Sequence, residues 1–66
     1  MNIVVNGEQR VIEEETTVEE LLKTLKIEDK TMAAAINMQV VKKDLWSTTV
    51  IEDGAKVEFL HFVGGG

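Results

Sequence analysis

An α+β fold, one mixed β-sheet packed on a single main helix, is predicted by three changes of period along this 66-residue chain. It opens on a β-branched run closed by Asn6-Gly7, switches to a helical apolar stripe after Thr17, and returns to alternation from Lys56 onward. A sheet with one apolar face and a helix with one apolar stripe each need the other as cover.

Residues 2–6 form the first strand, with Ile3 and Val5 projecting to a common face. Asn6-Gly7 suits the positive φ angles of a two-residue type I′ turn, so residues 8–13 return as the second strand, with Val11 and Ile12 supplying its apolar character. Val18, Leu21, Leu22 and Leu25 then recur at helical spacing, and the helix is expected to run to about Lys26. Thr17 and Glu20 form a capping box, Glu19 and Glu20 sit at the positive end of the helix, and Lys23 and Lys26 at the other.

After the polar stretch Glu28-Asp29-Lys30, residues 32–38 read as a buried strand of small side chains, followed by a short edge strand at Val40-Val41. Residues 43–47 are a connecting turn that anchors Leu45 and Trp46 on the core, with the indole N–H in need of a partner. Thr49-Val50-Ile51 leads to a turn at Asp53-Gly54, and residues 56–62 form the last strand. Val57 and Phe59 share its inner face, and Leu60 and Phe62 share the other as a candidate partner-docking surface. The order is hairpin, helix, strand, short strand, final strand, in short ββαββ, with the first and last strands side by side in the centre.

A chain this small holds one core worth roughly 3–5 kcal/mol, which leaves no room for a second domain or a deep enclosed active site. The organisation is a single domain over residues 1–63 with a flexible glycine tail at 64–66. No cysteine is present, so thiolate metal sites and cysteine nucleophiles are excluded and any sulfur chemistry needs sulfur from outside. The single His61, on the strand face opposite Leu60 and Phe62, cannot build a typical zinc site, and Glu13-Glu14-Glu15 is a solvated run without a catalytic partner. The chain is therefore read as neither an enzyme nor a metal protein. Net charge is −5, which disfavours nucleic acid, and no apolar run is long enough for a membrane span. A cytoplasmic protein is expected.

Val63-Gly64-Gly65-Gly66 closes the sequence. Glycines contribute nothing to a core and lose the most freedom when ordered, so on composition alone a frayed end, a truncated linker or an appended scar accounts for them better than function does. The functional reading is a slender arm with a sterically open carboxylate, able to thread another protein's active site and serve there as an acyl donor.

The whole chain resembles the ubiquitin-like sulfur carriers of the β-grasp fold, and among them the thiazole-biosynthesis branch. The stretches that carry the resemblance are Asn6-Gly7-Glu8, Thr17-Val18-Glu19-Glu20-Leu21-Leu22, Ala35-Ile36-Asn37, Val40-Val41-Lys42-Lys43 to Trp46, Glu52-Asp53-Gly54-Ala55-Lys56-Val57-Glu58, and the glycine end. Lys42-Lys43 departs from the family, which often has proline there. The resemblance implies that an E1-like activating enzyme uses ATP to adenylate the Gly66 carboxylate. A sulfur donor such as a cysteine desulfurase system then replaces AMP, and the Gly66 thiocarboxylate donates sulfur to thiazole synthase in thiamin biosynthesis. Gly64 and Gly65 would be the threading arm, and the chain itself would bind no cofactor. The molybdopterin synthase small subunit shares this chemistry but is typically longer, with prolines near its tail. A ubiquitin-like conjugation module starts from the same acyl adenylate.

Overall fold

A computed structural model of the chain describes residues 1–61. Its strands are β1 (Asn2–Val5), β2 (Glu8–Val11), β3 (Thr31–Ile36), β4 (Gln39–Val41) and β5 (Lys56–His61), with the helix α1 (Val18–Leu25) between β2 and β3. The edge strand is a full member of the sheet, so ββαββ becomes ββαβββ. The sheet order is β2-β1-β5-β3-β4, and β1 and β5 pair in parallel while every other pair is antiparallel. The first and last strands are thus central neighbours, as expected.

Ile3 and Val5 from β1, Ala34 from β3, and Val57 and Phe59 from β5 meet Val18, Leu21 and Leu22 of α1 in one buried core. Period-two and period-3.6 patterns converge on this layer, and each fully buried aliphatic side chain there contributes about 1.5–3 kcal/mol. Leu25 of the predicted stripe packs half-buried at its margin.

The capping box forms as read: Glu20 N–H donates to Thr17 Oγ1 at 3.2 Å, and Thr17 N–H to Glu20 Oε1 at 2.9 Å. The amides of Val18 and Glu19 donate to the carbonyls of Thr49 and Trp46, so the start of the helix is tied to the segment that precedes β5. The helix closes at Leu25 because Lys26 takes a left-handed φ of 61° and the Ile27 amide turns back to the Leu22 carbonyl.

Three further sequence expectations shift. The second strand stops at Val11, which pairs with Asn2 and is 80% exposed, while Ile12 packs half-buried on the core. The third strand ends at Ile36 rather than residue 38, because Asn37 and Met38 have φ of 50° and 69° and make the turn to β4. Met38 gave no turn signal. Of Leu45 and Trp46, only Trp46 reaches the core: in the tight turn Lys43–Leu45 successive side chains point about 120° apart, so the two cannot both face inward. Leu45 is half-exposed and contributes its carbonyl, which accepts from the Thr48 and Thr49 amides, whereas the Trp46 indole donates to the Val41 carbonyl at 2.9 Å.

Candidate functional site

Alternation along β5 buries Val57 and Phe59 and leaves Leu60 60% exposed on the outer face, where the sequence placed it. Register then decides its surroundings. Leu60 lies opposite Ala33 and Glu58 opposite Ala35, and Ala35 lies opposite Val40 of β4. Alanine is too small to cover a neighbouring leucine, so Leu60 and Val40 stand above a shallow groove lined also by Ala33, Ala35, Glu58 and Asn6. Leu60 and Val40 make this exposed face apolar, and Glu58 supplies a charge at its rim.

A β-bulge lies at the edge of the described part of this surface. Thr31 pairs with His61 while Ala33 pairs with Leu60, so Met32 is an extra residue on β3. The bulge keeps Thr31 turned inward, where it is buried and its hydroxyl donates to the Ile27 carbonyl at 2.7 Å. His61 lies across from it, half-buried, and its Nδ1 has no hydrogen-bond partner among the described residues.

The backbone of β5 is secured from both sides. Val4 and Asn6 amides donate to the Ala55 and Val57 carbonyls, continuing the parallel ladder. Side chains lengthen that ladder at each end: the Asn2 amide donates to Asp53 Oδ1 at 2.7 Å, and the Phe59 amide donates to Asn6 Oδ1 at 2.8 Å. On the β3 side, the Lys56 amide donates to Asn37 Oδ1 at 2.9 Å. The sequence pointed to Asn6 and Asn37 as parts of recognisable stretches without assigning them this work. A side chain bonding a backbone more than 50 residues away leaves no local pattern to read.

Of the site residues expected from sequence, Leu60 is placed as expected, and Phe62, Gly64, Gly65 and Gly66 lie outside the described residues. Among the described residues no three His, Cys, Asp or Glu side chains come together as metal ligands, and no helix is long and apolar enough to cross a membrane.

One helix cradled by a five-stranded mixed sheet, with β1 and β5 parallel at its centre, defines a ubiquitin-like β-grasp protein. The sequence model of the ThiS family matches residues 3–66, and the chain belongs to that family, the branch its sequence resembled. The crystal structure of a thiamine biosynthesis protein (ThiS) from Geobacter metallireducens superposes with a TM-score of 0.82 at 36% identity, covering 100% of both chains. Sulfur carrier protein ThiS of Escherichia coli is 30% identical over 66 residues, again end to end in both. Thiazole synthases of Paramagnetospirillum magneticum and Magnetococcus marinus are 36% and 35% identical over the whole of this chain, which spans only 20% of their length.

Proposed function

We propose that this chain is a sulfur carrier of thiamin biosynthesis and that Gly66 is the acyl group it carries. The observation that supports this most directly is the extent of the family match, which runs through the glycine residues to position 66 and is end to end with a sulfur carrier protein. A carboxylate oxygen of Gly66 attacks the α-phosphorus of ATP in an E1-like activating enzyme, an acyl-phosphate bond forms, and pyrophosphate leaves. The terminal sulfur of a persulfide supplied by a cysteine desulfurase system then attacks the acyl carbon and displaces AMP, and a thiol of that system cleaves the resulting acyl disulfide, leaving the thiocarboxylate on Gly66 and a disulfide on the partners. Thiazole synthase takes the sulfur, a partner suggested by the two relatives of that name.

The chain acts as a substrate rather than an enzyme, works in the cytoplasm, and binds no cofactor of its own; ATP belongs to the activating partner. Gly64 and Gly65 are the arm, since residues without Cβ pass through a channel too narrow for side chains. Leu60 is the docking residue, joined by Phe62. Intact-mass measurement of the protein from its native host tests the chemistry. A terminal oxygen replaced by sulfur is expected, and a lysine-linked adduct in its place overturns the reading in favour of conjugation. Leu60→Asp is expected to weaken the complex with thiazole synthase by at least about tenfold. The same variant should change stability by no more than about 0.5 kcal/mol, because the position is on the solvated face.

A further inference from the structure

Both two-residue turns begin with an asparagine, Asn6 before Gly7 and Asn37 before Met38, at φ of 48° and 50°. Tolerance of the left-handed region accounts for asparagine as a turn former. It does not account for where the carboxamides point. The last backbone rung from β1 to β5 is the Asn6 amide to the Val57 carbonyl, after which β1 turns away. The next β5 groups on that side belong to Phe59. Asn6 Oδ1 accepts from the Phe59 amide at 2.8 Å, and Asn6 Nδ2 donates to the Phe59 carbonyl at 3.3 Å. A primary carboxamide presents the same donor and acceptor as a peptide group, so the side chain serves as one more rung of a strand that has ended. It does so immediately before Leu60 and His61, the last described residues of β5.

We propose that Asn6 is a positioning residue for the carrier reaction: by clamping Phe59 it fixes the point and direction from which the chain beyond His61 departs. The inference rests on the reading of Gly66 as the acyl carrier. An arm that starts from a fixed strand searches a smaller volume than one whose root is loose, so less freedom is lost when a partner captures it. The clamp acts on capture and leaves the chemistry at the terminal carboxyl unchanged, so it belongs in KM and not in kcat. Asn37 provides an internal control. It also accepts from a β5 amide, but at Lys56, the opposite end of the strand.

The test uses the full chain as substrate for an E1-like activating enzyme, read by ATP–pyrophosphate exchange, beside amide hydrogen exchange on the free protein. Asn6→Gly retains the turn conformation and removes the carboxamide. It is expected to lose protection at the Phe59 amide and to raise KM for the carrier about fivefold, with kcat within about twofold of the parent. Asn6→Asp keeps an acceptor for the Phe59 amide but loses the donor and sets a carboxylate oxygen against the Phe59 carbonyl, so it should recover the protection and the KM in part. Asn37→Gly should leave KM within about twofold, although it too loses a β5 hydrogen bond. An unchanged KM in Asn6→Gly, no recovery in Asn6→Asp, or an equal rise in Asn37→Gly overturns the positioning role while leaving the carrier reading intact. Absence of exchange with the parent chain overturns the carrier reading, and the positioning role with it.

Discussion

The two hairpin turns solve the same backbone problem with different residues. Asn6-Gly7 joins β1 to β2 and Asn37-Met38 joins β3 to β4, and all four residues have positive φ. In the first turn the second position is glycine, with φ of 86° and nothing within 4 Å of where a Cβ would sit. In the second it is methionine at φ of 69°, 84% exposed. A side chain held in the left-handed region costs about 1–2 kcal/mol. The second turn therefore carries a local strain that the first avoids, and the β3–β5 and β3–β4 ladders hold it in place. Strand pairing, not turn propensity, decides the conformation of that corner. The strained turn also borders the exposed face that carries Val40 and Leu60, the kind of place where local rules tend to be broken.

The comparison breaks most visibly if the shared asparagines are removed together. Asn6→Gly with Asn37→Gly deletes side-chain bonds to Phe59 and Lys56 and is expected to destabilise the fold by about 2–3 kcal/mol in urea unfolding. A loss below about 1 kcal/mol would mean that the turns grip β5 only nominally. Gly7→Ala meets no steric obstacle, so its expected cost, about 1 kcal/mol in thermal unfolding, isolates the backbone preference alone. Met38→Gly is the mirror experiment and gives the smallest effect, a gain of about 0.5 kcal/mol, since relief of the left-handed strain is partly offset by a more flexible unfolded chain. A loss of stability there would show that the Met38 side chain supports the hairpin, and the two turns would no longer differ by strain alone.

These turns also mark where the sequence was legible. Asn6-Gly7 is a strong local signal, and the capping box, the leucine stripe and the alternation of β5 are equally local, so the hairpin, the helix and the last strand were readable. Met38 has no turn chemistry, and the turn there is imposed by pairing with β5 and β4, which is why the third strand read two residues too long. The bulge at Met32 and the choice of Trp46 over Leu45 depend on which neighbours are present. For the site, Leu60 followed from alternation. Its alanine floor required the register of β3 against β5, and the Asn6 clamp required two residues 53 positions apart to be brought together. The arm itself, Gly64 to Gly66, was read from composition and resemblance and lies outside the described residues.

The parallel pairing of β1 with β5 also has a consequence during synthesis. The sheet's central strand is the last of the described strands to be made, so while residues 56–61 are still inside the ribosome, β1 lacks its central neighbour and α1 faces a sheet without Val57 and Phe59. Folding of such a sheet waits on the closure of a loop nearly as long as the domain. The nascent chain thus stays open until β5 emerges, and the strand that leads into the proposed arm is the one that completes the sheet.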